Sequence, residues 1–211
     1  MKHSRNGPIR GLYAITPDEA GTVELLHKVR LALLGGARVL QYRNKAADAV
    51  LRLEQARALR ELTHEFSAPL IINDDAMLAQ QVDADGVHLG DEDGSVAAAR
   101  SVLGSGKFIG VSCYNRLSLA HEAVRQGADY VAFGSFFASA VKPGAVAALP
   151  DLLRQARREI DLPLVAIGGI TAYNGAKLLE AGADALAVIS AIFGAADIQD
   201  AARQFADLNY S

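Results

Sequence analysis

PLIINDDAMLAQQVDADGVHLGDED, from Pro69 to Asp93, is the stretch that decides the fold. An apolar, strand-like run (Pro69 to Ile72) stops at Asn73-Asp74-Asp75, and a short helical segment follows. A second strand-like run, Gly86-Val87-His88-Leu89-Gly90, then stops at Asp91-Glu92-Asp93. Two successive strands that both end in carboxylates predict an acidic cluster at one edge of a sheet. Hard cations such as Mg²⁺ take oxygen ligands, typically one or two carboxylates plus substrate phosphates. Each Asp taken singly reads as a helix cap or a turn residue; the cluster gains meaning only from the rest of the chain.

Outward from this unit, the strand–helix pattern repeats. Strands are expected over Gly11–Thr16, Arg38–Arg43, Leu70–Asn73, Gly86–Gly90, Phe108–Ser112, Tyr130–Gly134, Leu164–Gly168 and Ala185–Ile189. Helical periodicity fills the intervals, over Val23–Leu34, Ala47–His64, Ser95–Val102, Leu117–Arg125, Asp151–Glu159, Asn174–Glu180 and Ile198–Leu208. The motif Gly36-Ala37-Arg38 returns as Ala84-Asp85-Gly86, Gly127-Ala128-Asp129 and Gly182-Ala183-Asp184, introducing the second, fourth, sixth and eighth strands. Ala68-Pro69-Leu70-Ile71-Ile72 is echoed by Leu162-Pro163-Leu164-Val165-Ala166, half a barrel away. Repeats at this spacing predict an α/β chain folded as a single (β/α)₈ TIM barrel over residues 1–211, with 1–8 a flexible N-terminal segment. A doubly wound open sheet is the alternative, but its Gly-rich turn after the first strand is replaced by Thr16-Pro17-Asp18.

Composition narrows the class of function. The chain has 211 residues, half of them apolar, and a net charge of −3. That charge gives no footprint for nucleic acid or an anionic membrane. One cysteine, Cys113, rules out an internal disulfide framework and suits a reducing compartment. No apolar run reaches the length of a membrane span. The expectation is a soluble, cytoplasmic globular protein, with homo-oligomerisation left open.

Chemistry in such a barrel sits at the C-terminal strand ends. The second strand ends in Gln41-Tyr42-Arg43-Asn44-Lys45, where alternation puts Gln41, Arg43 and Lys45 on one face as an anion clamp. Gly168-Gly169-Ile170-Thr171 and Val188-Ile189-Ser190-Ala191-Ile192 end the seventh and eighth strands, the usual phosphate site of this fold. Ser190 is expected to open a short helix over 191–193. After the sixth strand, a loop of small residues carries Lys142 and reads as a lid. His88, on an apolar strand, reads as a packed, hydrogen-bonded histidine, and Cys113 as a small buried residue rather than a nucleophile.

Gln41-x-Arg43-x-Lys45, Asn73-Asp74, Gly86-Val87-His88-Leu89-Gly90 with Asp93, Gly110-Val111-Ser112, Lys142, Ile167-Gly168-Gly169-Ile170 and Val188-Ile189-Ser190-Ala191-Ile192 together resemble the thiamine phosphate synthase family from Gly11 to Phe205. The resemblance implies a TIM barrel that joins 4-amino-2-methyl-5-hydroxymethylpyrimidine diphosphate to 4-methyl-5-(2-hydroxyethyl)thiazole phosphate with Mg²⁺, releasing pyrophosphate. It assigns the diphosphate to Gln41, Arg43, Lys45, Asn73, Ser112 and Lys142, with Arg43, Lys45, Ser112 and Lys142 as the catalytic set. Asp74 and Asp93 would hold the metal. Ser139, Ala140, Val141, Gly169, Ile189 and Ser190 would receive the thiazole phosphate. The chain departs from the family pattern in its lid, where Pro-Thr/Ser-x-Thr-Lys becomes Ala138-Ser139-Ala140-Val141-Lys142, and at Tyr114, often a histidine. A relative that tautomerises the thiazole precursor and a non-catalytic ligand-binding barrel are the rival readings.

Overall fold

The alternation resolves into a closed parallel barrel. The structure is a computed structural model that describes residues 7–90, 93–138 and 148–210. Its strands are β1 (Gly11–Ile15), β2 (Val39–Tyr42), β3 (Leu70–Asn73), β4 (Gly86–Leu89), β5 (Phe108–Tyr114), β6 (Tyr130–Phe133), β7 (Leu164–Ile167) and β8 (Ala185–Val188). They follow one another in chain order around the barrel, and β8 closes it by pairing in parallel with β1. The helices are α1 (Thr22–Leu34), α2 (Ala49–Glu65), α3 (Ala76–Gln81), α4 (Val96–Leu103), α5 (Leu117–Gln126), α6 (Pro150–Glu159), α7 (Ala172–Glu180), α8 (Ser190–Phe193) and α9 (Ile198–Ala206). This is the expected (β/α)₈ barrel. Of the expected N-terminal segment, all but Gly7 and Pro8 lie outside the described residues.

Parallel strands covered on both faces need apolar side chains at every position, so they read as continuous runs rather than alternating ones. Alternation still sorts the two faces. Tyr13, Ile15, Val39, Ile71, Tyr130, Ala132, Val165, Ala185 and Ala187 pack inside the barrel. Leu12, Ala14, Leu40, Leu70, Ile72, Val87 and Leu164 face the helices.

Six of the expected strands lose their last residue: Thr16, Arg43, Gly90, Gly134, Gly168 and Ile189 leave the ladder. Their backbones turn out of the sheet at the C-terminal rim. β5 does the opposite and runs on to Tyr114, through a register irregularity between Ser112 and Tyr114. Helix starts also shift for local reasons. Pro150 occupies the first turn of α6, where its missing N–H is no loss. Thr171 and Asn174 form a capping box, so α7 begins two residues before Asn174.

The repeated Gly-Ala-Asp motif is a staple on the N-terminal rim. Asp85 accepts the Leu70 N–H at 2.8 Å and pairs with Arg60 of α2 at 3.2 Å. Asp129 accepts the Ile109 N–H at 2.7 Å and pairs with Arg100 of α4 at 2.6 Å. Asp184 accepts the Leu164 N–H at 2.7 Å and pairs with Arg157 of α6. Each even strand thus ties the preceding odd strand to a covering helix. The second strand departs from the motif, with Arg38 in the aspartate's place.

Candidate active site

The expected site residues that are described all lie at or near the C-terminal rim. At the end of β2, Thr16 holds Arg43 by its backbone: the Thr16 hydroxyl donates to the Arg43 carbonyl and accepts from the Arg43 N–H, both at 2.8 Å. The Arg43 guanidinium donates to Asp18 at 3.3 Å, and the same carboxylate oxygen accepts the Lys45 backbone N–H at 2.8 Å. The Lys45 ammonium lies 3.4 Å from Asp74 and is 60% exposed, so it is held loosely. Arg43, Lys45, Asn73 and Asp74 line one cavity of about 310 Å³, which Arg52 of α2 also borders.

The clamp expected from side-chain alternation keeps its face, but Gln41 lies deeper than Arg43 and Lys45. Gln41 shares the face of Arg43, but it is buried, and its amide N–H donates to the Tyr13 hydroxyl at 2.9 Å inside the barrel. One step deeper than Arg43 along the strand, it bonds a side chain of the barrel interior. Tyr42 and Asn44 point the other way as alternation requires, both hydrogen-bonding Gln55 of α2.

The carboxylates separate by role. Asp75 caps α3, accepting the Leu78 N–H at 2.9 Å, which is the ordinary use of an Asp after a strand. Asp74 sits in the left-handed region at φ 65°, with its N–H donated to the His88 carbonyl at 2.8 Å. Backbone held in that region is a recurring feature of functional sites. Asp93 folds back over the end of β4, accepting the Gly90 N–H at 2.9 Å. Burial pushes the Asp74 carboxyl above its ordinary range, and a hydrogen bond and the charge of Asp93 push it further, against a smaller opposing pull from Lys45. Two carboxyl groups held together in a half-buried place form a site that a cation would relieve. Among the described residues no cluster of three or more His, Cys, Asp or Glu gathers as a metal site. Two carboxylates nonetheless satisfy what Mg²⁺ asks of a protein when phosphates supply further oxygens.

Across the rim, Gly168 and Gly169 have φ of 104° and 60°. A Cβ on Gly169 would overlap the Phe137 and Ala138 carbonyl oxygens, so glycine here lets the strand-six loop lie against β7. Ile189, rather than Ser190, is the N-cap of α8, and Ser190 is its first, exposed residue. Ser190 therefore opens the helix as expected but does not cap it. Helix geometry leaves the first N–H groups of that turn without intrahelical acceptors, directed at the rim. Ser139, Ala140, Val141 and Lys142 lie outside the described residues, as do Asp91 and Glu92.

A family model described as thiamine monophosphate synthase matches residues 12–192, all eight strands but the first residue of β1. The chain belongs to the thiamine monophosphate synthase family. It is 56% identical over 201 residues to a thiamine-phosphate synthase of Methylobacillus flagellatus, covering 95% of this chain and 96% of that one. A thiamine-phosphate synthase of Azoarcus sp. is 56% identical over 189 residues, covering 90% and 92%. The fold superposes on thiamine phosphate pyrophosphorylase from Pyrococcus furiosus with a TM-score of 0.86 at 36% identity, over 97% of this chain and 96% of that one. Family membership makes the protein a transferase.

Interior groups that sequence reasoning missed are Tyr13 and Tyr130, whose hydroxyls lie 2.9 Å apart, with Tyr130 continuing to His88 at 3.0 Å. A buried phenol must find a partner, so a Tyr inside an apolar strand was the available signal. Cys113 is buried and its thiol is pushed up to about 12 by desolvation, which suits a packing residue. Among the described residues no helix is long and apolar enough to cross a membrane.

Proposed function

We propose that the protein couples 4-amino-2-methyl-5-hydroxymethylpyrimidine diphosphate to 4-methyl-5-(2-hydroxyethyl)thiazole phosphate, giving thiamine phosphate and pyrophosphate, as a cytoplasmic single-barrel enzyme. One observation carries the reading: Arg43 and Lys45 share a cavity with Asn73 and Asp74, and the Asp74 carboxyl is raised by burial and, beyond that, by Asp93 beside it. A diphosphate entering there meets cations for its oxygens and a carboxylate pair for its counter-ion.

Asp74 and Asp93 would hold Mg²⁺, which supplies positive charge to the departing pyrophosphate. Arg43 offers a planar fork for two phosphate oxygens, and Thr16 and Asp18 hold the strand end that presents it. Lys45 is exposed enough to leave Asp74 for a phosphate. In a dissociative substitution the C–O bond to pyrophosphate breaks first, and the thiazole nitrogen captures the pyrimidine carbocation. Such a reaction asks for leaving-group stabilisation and exclusion of water, not for a strong base. Lys142 would add a cation from the lid, and Asn73 and Ser112 would orient the pyrimidine. Ser139, Ala140, Val141, Gly169, Ile189 and Ser190 would receive the thiazole phosphate at the far side of the rim.

Purified protein with both substrates and Mg²⁺ should release thiamine phosphate and pyrophosphate in equal amounts, and neither without Mg²⁺. Absence of both products in the complete mixture overturns the proposal. Isomerisation of the thiazole without the diphosphate would replace it with the tautomerase reading.

A further inference from the structure

Five side chains from five strands form one hydrogen-bonded chain across the barrel. Gln41 donates through Nε2 to the Tyr13 hydroxyl at 2.9 Å, and the Tyr13 and Tyr130 hydroxyls are 2.9 Å apart. The Tyr130 hydroxyl lies 3.0 Å from His88 Nδ1, and His88 Nε2 lies 2.9 Å from Ser112 Oγ. Gln41, Tyr13, Tyr130 and His88 are all buried. The register explains how the rings meet: His88 pairs with Gly110, and Gly110 pairs with Tyr130. With no side chain at Gly110, the two rings close over it, 5.5 Å apart and 29° from parallel. A Cβ at Gly110 would overlap the Tyr130 ring.

Proton counting gives the chain a direction. A phenol carries one proton and a neutral imidazole one. Among the described residues the Tyr13 hydroxyl has two hydrogen-bond partners, Gln41 and Tyr130. It accepts from Gln41, so its own proton is used only by donating to Tyr130. Tyr130 must then donate to Nδ1, so a neutral His88 imidazole carries its proton on Nε2, facing Ser112. Ser112 accepts that proton and keeps its own for a partner other than His88. At the opposite end, Gln41 has committed an N–H, and its amide oxygen is the group left to accept.

We infer that this buried chain fixes His88 as the Nε2–H tautomer and presents an acceptor from Gln41 and a donor from Ser112, with Tyr13, Tyr130 and His88 as positioning residues for the heterocycle. The ligand it fits is an aromatic ring carrying an exocyclic amino donor and a ring-nitrogen acceptor, so the inference rests on the proposed function and refines it. Burial raises both phenols well above their ordinary pKa, which keeps each proton in the chain.

The test combines nitrogen NMR with kinetics. In the wild-type protein, ¹⁵N shifts should show His88 Nδ1 unprotonated and Nε2 protonated. Tyr130→Phe removes the donor to Nδ1, so the imidazole should become a mixture of tautomers. Tyr13→Phe frees Gln41 but keeps that donor, so the Nε2–H tautomer should persist. In both variants the KM for the pyrimidine diphosphate should rise about tenfold, the loss of one neutral hydrogen bond, with the KM for thiazole phosphate unchanged. A purely structural role would move both KM values or neither, and would not separate the two phenols by tautomer. An Nδ1–H tautomer in the wild type overturns the inference, because the chain then runs backwards. Unchanged diphosphate KM in both variants overturns it as well. If Tyr130→Phe does not fold, the wild-type spectrum and Tyr13→Phe decide. The spectrum needs no turnover, so a protein that makes no product sinks the proposed function while the tautomer still judges this inference.

Discussion

At the N-terminal rim of the barrel, Asp85, Asp129 and Asp184 each accept a strand N–H and face an arginine from a covering helix. At the C-terminal rim, Asp74 and Asp93 face each other, one of them in the left-handed region. The residue type is the same and the circumstances are opposite. The lower carboxylates have every interaction a buried charge needs, so they serve the fold. Asp74 is held against its electrostatic preference by a barrel stable enough to tolerate it. That division, stability at one end and chemistry at the other, is the general logic of this fold.

The comparison breaks most directly by removing a carboxylate at each end. Asp184→Ala leaves Arg157 and the Leu164 N–H without their acceptor, and should cost about 3 kcal/mol of stability, as for a broken buried pair. Urea unfolding measures this, and the fraction that stays folded should keep wild-type kcat. A loss below about 0.5 kcal/mol would show that water replaces the aspartate and that the staple is ornamental. Asp74→Asn should do the reverse: kcat/KM for the diphosphate falls about a hundredfold, as when a transition-state charge loses a partner. Stability should hold or rise by up to about 1 kcal/mol, because a like-charge contact is relieved. A loss of stability comparable to that of Asp184→Ala would place Asp74 among the structural aspartates.

Arg43 sharpens the comparison with a smaller effect. Among the described residues its guanidinium has one long contact, to Asp18, which leaves most of its donors for a ligand, whereas Arg60, Arg100 and Arg157 are committed to their aspartates. Arg43→Lys keeps the charge and loses the fork, so the KM for the diphosphate should rise about tenfold with stability unchanged. An unchanged KM would mean that Arg43 belongs to Asp18 alone.

These two ends differ also in how far the sequence reveals them. The barrel was legible because parallel strands read as apolar runs and the Gly-Ala-Asp motif recurs at alternate strands. The staple itself was not, because Asp129 and Arg100 are 29 residues apart and only helix packing brings them together. At the upper rim, Arg43, Lys45, Asn73 and Asp74 could be grouped, since adjacent strand ends are neighbours in any barrel. Tyr13 and Tyr130 could not be paired. They are 117 residues apart, and their meeting depends on the stagger of the whole barrel and on the gap at Gly110. The contact of Gln41 with Tyr13 was hidden for a related reason: alternation gives its face, but not its depth below the rim.

The smallest effect tests the electrostatics of the upper rim alone. Asp74 has a raised pKa when folded, so the folded state holds its proton more tightly than the unfolded chain does. Such a group contributes stability that is fully present below its unfolded pKa and is lost as pH rises through the folded value. Asp74→Asn does not titrate there. The stability of wild type minus that of Asp74→Asn should therefore fall as pH rises through the acid range and then level off. With a half-buried carboxyl the total change should stay below about 1 kcal/mol. Mg²⁺ competes with that proton, so at neutral pH it should raise the melting temperature of the wild type and leave Asp74→Asn nearly unmoved. Acid should weaken the Mg²⁺ effect, because the cation must then displace the proton. If the stability difference instead grew with pH, the Asp74 carboxylate would be stabilised by Lys45 more than it is opposed by Asp93. The upper rim would then be a salt bridge like those below it.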